Sequence, residues 1–209
     1  MARGVDGREV FVDDLDRRDF LGTILGLKSQ TNCSIIAYCL MGNHFHLAIK
    51  VGTTPLSHIM HRLLTAYVIG FNARHAREGH LFQARYKSVL CLDDSYLIAL
   101  VRYIHMNPVR AGLTVGPEDW PWSSHRYYAE RTGSPLVDPR LFFDVAGSSS
   151  REYERSSANA AQNIDPGRRP DRFRPYSGRN CPSSSRSTPW LRIYSPASGR
   201  CSGPEAVYA

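Results

Sequence analysis

From His44 to Val51 apolar and polar positions alternate strictly: Phe45, Leu47, Ile49 and Val51 fall on one side, and His44, His46, Ala48 and Lys50 on the other. A period of two is the signature of a half-buried strand. Ser34 to Met41, with Ile35, Ile36 and Tyr38, predicts a partner strand, and Gly42-Asn43 supplies turn residues between the two. The pair reads as a β-hairpin with one buried face. Elsewhere the period lengthens to that of helices. Asp14 or Asp16 opens one through Phe20, Leu21, Ile24 and Leu25, expected to stop near Gly26. Thr54 as N-cap and Pro55 as first helical residue open a second, whose stripe is Ile59, Leu63, Tyr67 and Phe71. Gly79 closes that region, and Leu81 to Leu92 predicts a strand pair or one irregular strand. Asp94 or Ser95 caps a third helix carrying Leu97, Leu100, Val101 and Ile104, limited by Pro108. The fold class expected is α+β, an antiparallel sheet with helices packed mainly on one face.

Composition narrows this picture. The 209 residues are 42% hydrophobic, which excludes wholesale disorder. No run of 18 apolar residues offers a membrane span, and the N-terminus lacks the apolar stretch of a secretory signal. Five scattered cysteines form no C-x-x-C pair, which fits a reducing cytosol. The net charge of +7 invites a nucleic-acid partner, but its distribution weakens that argument. The 62 residues after Gly147 hold ten arginines, five acids and 13 serines, so five of the seven charges belong to a tail. All eight histidines precede it. The expected organisation is therefore one domain over residues 1–147 and a disordered Ser/Arg/Pro-rich tail over 148–209. The tail reads as an electrostatic arm, as a solvated extension, or as a shifted reading frame.

Three segments carry chemistry. In Asn43-His44-Phe45-His46-Leu47 the two histidines project from one strand face, where paired imidazoles can hold a divalent ion or be ordinary surface side chains. In Tyr103-Ile104-His105-Met106-Asn107-Pro108-Val109-Arg110, Tyr103 and Asn107 share a face if the helix reaches Asn107. His105 is the rival ligand there, and a core tyrosine is the plainer reading of Tyr103. Gly79 to Ser88, preceded by Asn72, Arg74, His75 and Arg77, interleaves cations with aromatics. That suits a single strand, with charges on phosphates and rings under bases, and it also suits a solvated face.

Together, Ala37 to Leu47, Gly79 to Ser88, Tyr103 to Gly112 and Trp120-Pro121-Trp122-Ser123-Ser124 occur in an order that closely resembles the single-tyrosine HUH transposases, in particular the REP-associated branch. The resemblance covers about residues 3–130. It implies a ferredoxin-like HUH domain that cuts and rejoins single-stranded DNA beside a hairpin, as a monomer or a homodimer. His44, His46 and Asn107 would then hold Mg²⁺ or Mn²⁺, and Tyr103 would be the nucleophile forming a 5′-phosphotyrosine. Arg85, Tyr86, Lys87, Arg74 and Arg110 are the candidate DNA contacts. Relatives start with a strand running into an Arg-Gly pair, whereas this chain has Arg3-Gly4 near its first residue, so the first strand is expected to be missing. That absence favours an alternative, a catalytically inactive or truncated DNA-binding remnant. A third reading is a phosphoesterase that uses water and needs no Tyr103.

Overall fold

In chain order the elements are β1 (Ala2–Arg3), α1 (Asp14–Thr31), β2 (Ser34–Leu40), β3 (His44–Val51), α2 (Leu56–Arg74), α3 (Asp94–His105), α4 (Asn107–Arg110), α5 (His125–Ala129), α6 (Arg140–Ala146) and β4 (Ala206–Tyr208). The computed structural model describes residues 1–91, 93–147, 149, 151–155, 157 and 206–208. The predicted hairpin is its centre. Strands β2 and β3 pair antiparallel from Ser34↔Lys50 to Leu40↔Phe45, with an irregularity between Ile35 and Ala37. On the other edge of β3, β1 pairs at one end (Ala2↔Phe45, Arg3↔His44) and β4 at the other (Ile49↔Tyr208, Lys50↔Val207, Val51↔Ala206). The first strand is thus reduced to two residues.

Two of the sequence motifs extend the sheet without forming regular strands. Residues 81–87 run along β1: Phe82 bridges Gly4, Gln83 N donates to Arg3 O at 3.0 Å, and Lys87 N donates to Met1 O at 2.8 Å. The strand pair or irregular strand expected over Leu81 to Leu92 is thus replaced by the isolated Phe82 bridge and these backbone bonds, with no regular strand among the described residues. On the far side, Leu40 N donates to Trp122 O at 2.9 Å and Ser124 N to Tyr38 O at 3.0 Å, so the Trp-Pro-Trp-Ser-Ser segment covers the outer edge of β2. Trp120 Nε1 adds a bond to Leu40 O at 3.0 Å.

One face of the sheet packs on α1 and α2. Phe20 is fully buried against Phe11, Phe45 and Tyr67, with ring centroids 5.2, 4.7 and 5.0 Å away. The α2 stripe is buried as read from its spacing, at Ile59, Leu63, Tyr67 and Phe71, joined by Met60. Pro55, with no side-chain cap bond, occupies the cap position expected for Thr54. Helix α1 starts at Asp14, one of the two starts expected, but ends later than expected. Asp13 is its N-cap, accepting from Asp16 N at 3.0 Å while Asp16 accepts from Asp13 N at 3.3 Å. It runs past Gly26, because Gly22 and Gly26 lie on the exposed side while Phe20, Ile24, Leu27 and Thr31 stay buried at helical spacing. Asn32, in the left-handed conformation at φ 51°, ends it instead.

The other face is not left to water. His46 and Ala48 are buried, unlike the solvated face expected of a hairpin with one buried side, because α3 covers them. The register places Ala37 and Cys39 of β2 beside Ala48 and His46, and these small side chains leave room for that helix. Asp93 caps α3 by accepting from Tyr96 N at 2.7 Å, one residue earlier than expected. Packing also continues beyond the compositional break at Gly147. Residues 151–155 are helical, and Tyr153 is fully buried against Tyr128 and Phe142. The rest of the expected tail, apart from β4, lies outside the described residues. Cys33, Cys39 and Cys91 are buried and unpaired. Among the described residues no helix is long and apolar enough to cross a membrane.

Phe20 touches both helices and the sheet, so Phe20→Ala removes a side chain that three elements share. We expect a loss of about 3–5 kcal/mol in urea unfolding, with little change in the denaturant slope.

Candidate active site

The strand period sets the first half of the site. Phe45 and Leu47 enter the core, so His44 and His46 emerge together on the α3 face, their ring centroids 5.1 Å apart. Asn43 Oδ1 lies 2.7 Å from His44 Nδ1. An amide oxygen only accepts, so Nδ1 carries the proton and Nε2 presents its lone pair. Burial, then the charge of Arg3, lowers the His44 pKa to about 4. Burial and the neighbouring His44 hold His46 well below the usual range. Both rings are neutral at neutral pH, the form that binds a metal.

Helix α3 brings the second half. The Tyr103 ring stands edge-on to His46 with centroids 5.5 Å apart, and the Arg110 guanidinium lies 5.6 Å from the centre of the Tyr103 ring. Helix α3 stops at His105, ahead of Pro108, yet Asn107 still reaches Tyr103. Its Nδ2 donates to Tyr103 O at 2.7 Å and lies 3.4 Å from Ile104 O, the carbonyl that Pro108 has no N–H to serve. The amide oxygen of Asn107 is left uncommitted among the described residues.

Residues 5–107 match the family model described as "Transposase IS200 like". That segment resembles the IS200-like transposases. A protein of Haemophilus influenzae (strain ATCC 51907 / DSM 11121 / KW20 / Rd), whose name assigns it provisionally to the REP-associated tyrosine transposases, is 28% identical over 106 residues. The match covers 44% of this chain and 58% of that relative, so the chain spans little more than half of its length. No solved structure matches significantly.

Of the other residues singled out in the sequence, the fold treats each differently. His105 is two residues from Tyr103, about 200° around the helix, and so faces away from the histidine pair. It is fully buried, and its Nδ1 meets Tyr153 Oη while its Nε2 meets Ser124 Oγ at 2.6 Å. Ser124 Oγ also accepts from Tyr38 N at 2.9 Å and donates to Tyr38 O at 3.3 Å. With the serine proton spent on Tyr38, His105 must donate through Nε2–H and accept from Tyr153. His105 therefore fastens α3 to β2 instead of facing the His44–His46 pair. Arg74 is bound by carboxylates, with Nη1 and Nη2 2.9 and 2.6 Å from Asp13 and Nε 3.2 Å from Asp16. It ties the end of α2 to the start of α1. Tyr86 is half-buried and packs on the core, whereas Arg85 and Lys87 are exposed on the strip beside β1. Among the described residues no three His, Cys, Asp or Glu side chains gather into one metal-binding group. A third donor beside the two histidines must come from another residue type, and the Asn107 carboxamide oxygen is of the right kind for a hard cation.

Arg3 stands in the Arg-Gly pair of the resemblance, but only the register that sets it opposite His44 places it at the site. His105 could have been read from its i, i+4 spacing with Val101 on the apolar side of the helix, but its partners lie 19 and 48 residues away.

The buried neutral histidines predict the pH dependence of stability. His46 and His105 have folded pKa values well below 6.5, His44 near 4, so on acidification the unfolded chain takes up protons first. Stability is then full above about pH 6.5 and falls below it, by about 1.4 kcal/mol per pH unit for each such histidine. Urea unfolding across pH 7.5 to 4.5 checks this, and the slope should shrink in His105→Gln.

Proposed function

We propose that this domain cuts and rejoins single-stranded DNA beside a hairpin, with Tyr103 as the nucleophile. The observation that carries the reading is the juxtaposition of the Tyr103 ring with His46, itself beside His44, on one sheet face. The likeness of residues 5–107 to the IS200-like transposases supports a DNA substrate. His44 and His46 would hold a divalent ion, Mg²⁺ or Mn²⁺, through neutral ring nitrogens, and Asn107 through its amide oxygen. When bound, such an ion polarises the scissile phosphate and stabilises the departing 3′ oxygen.

The chain's own residues do the rest. Tyr103 gives up its phenolic proton and forms the Oη–P bond as the P–O3′ bond breaks. One strand end is left as a 5′-phosphotyrosine and the other, once protonated, as a free 3′-hydroxyl. Attack by a 3′-hydroxyl on that phosphotyrosine reverses the step and returns the phenol, so rejoining needs no external energy source. Asn107 holds the Tyr103 carbonyl and so fixes where the ring stands. Arg110, with its guanidinium over the same ring, packs on its face. Arg85 and Lys87, on the exposed strip beside β1, offer charges to the strand backbone. Placing the activity in the bacterial cytosol or nucleoid, and pairing two copies as a homodimer, follow from the same reading.

The test is incubation of the full chain with hairpin-bearing single-stranded DNA and Mg²⁺ or Mn²⁺. A covalent protein–DNA band should form, disappear with chelator, and return with Mn²⁺. Tyr103→Phe should abolish it while Tyr96→Phe leaves it. An adduct that survives Tyr103→Phe would sink the assignment. Hydrolysis without any adduct would point to water as nucleophile, and salt-dependent binding with no cleavage would point to a DNA-binding remnant.

A further inference from the structure

Arg3 is the cation that the register brings to the histidine pair. Residues directly opposite in an antiparallel pair project from the same face with Cβ atoms about 4.5–5.5 Å apart. Arg3 pairs with His44, so its side chain rises beside that ring on the α3 face, while its neighbour Ala2 pairs with Phe45 and is buried. The backbone is fixed on both sides: Gln83 N donates to Arg3 O at 3.0 Å, and Gly4 N donates to Asn43 O at 2.9 Å. Gly4 is required for this placement, since a Cβ there would come within 2.2 Å of Arg8 O as the chain turns back.

The side chain itself is exposed, and no hydrogen bond or ion pair engages it among the described residues. That sets it apart from Arg74, which is bound to Asp13 and Asp16, and from Arg110, which lies over Tyr103. An unengaged guanidinium beside two neutral imidazoles leaves a cation available at this corner. Arg85 and Lys87, exposed on the strip that runs along β1, continue the positive margin away from the site. The order across the face is therefore Arg3, His44, His46, Tyr103.

We propose that Arg3 is a substrate-binding residue that seats a backbone phosphate of the single strand next to the histidine pair. Because two imidazole rings separate it from Tyr103, the phosphate it holds is one flanking the position that Tyr103 attacks. Its planar fork binds two phosphate oxygens at once, which fixes the strand's direction across the site as well as its distance. This inference rests on the DNA-cleaving reading for the meaning of "flanking", but the phosphate seat can be measured apart from it.

The first measurement is binding of labelled oligodeoxythymidine to the full chain in chelator, across a salt series. It needs neither a metal nor Tyr103 chemistry. Loss of one phosphate contact makes the plot of log K against log salt shallower by about 0.7 for a single strand. Arg3→Gln should show that change, and Arg3→Lys should regain the slope because the charge is kept. Matching melting curves by circular dichroism separate this from misfolding, since Arg3 is exposed. The second measurement uses a strand on which the wild-type chain forms its adduct, carrying single neutral methylphosphonates at successive positions. One position flanking the adduct should weaken wild-type binding and leave Arg3→Gln binding unaltered, while other positions affect both proteins alike. An unchanged salt slope in Arg3→Gln overturns the proposal, as does a methylphosphonate series in which no position distinguishes the two proteins. If the slope changes but no adduct ever forms, the phosphate seat stands and the tyrosine chemistry fails.

Discussion

Strand β3 puts Phe45 into the core between α1 and α2, and the same backbone alternation puts His44 and His46 under α3. A slip of one residue in its pairing would exchange the two sets, burying imidazoles among phenylalanines and turning Phe45 toward Tyr103. The register is therefore enforced by hydrophobic burial on one side, and the candidate site on the other side inherits that precision without any contact of its own. Everything brought to the histidines is brought to β3: β1 with Arg3 along one edge, α3 with Tyr103 across the face.

The helix bearing Tyr103 faces a different problem, because it ends two residues later and a proline follows. Two polar arrangements hold it. Asn107 substitutes its amide for part of the broken hydrogen-bond ladder, and His105 reaches the opposite way to Ser124 on the edge of β2. A neutral imidazole that donates on one side and accepts on the other suits this dry location, where a protonated one would be costly. The same network draws in Tyr153, so the packed body includes residues beyond the point where the composition turns to serine and arginine.

How much of this was legible follows from which interactions are local. The β2–β3 hairpin and the α2 stripe were readable because alternation and helical spacing report burial directly. The proximity of Tyr103 to the histidine pair was suggested by resemblance, not by spacing, because 57 residues separate His46 from Tyr103. The length of α1 was misjudged because Gly26 has low helix propensity, while the stop depends on a single left-handed Asn32. The roles of Arg3 and Arg74 were not readable, and the spacing of His105 with Val101 reports its burial but not its partners. Each depends on a partner distant in sequence: His44 across a strand pair, Asp13 and Asp16 across two helices, and Ser124 and Tyr153 across the sheet.

The irregular strip 81–87 lies against β1, so the outermost backbone at that end of the sheet belongs to a segment carrying Arg85 and Lys87. Charged side chains on an outer strand are also what keeps sheets of separate molecules from pairing edge to edge. The two charges proposed to meet the nucleic acid thus also blunt this sheet edge against edge-to-edge pairing. Neutralising them to weaken DNA binding would at the same time remove a barrier to aggregation, and the two losses would arrive together.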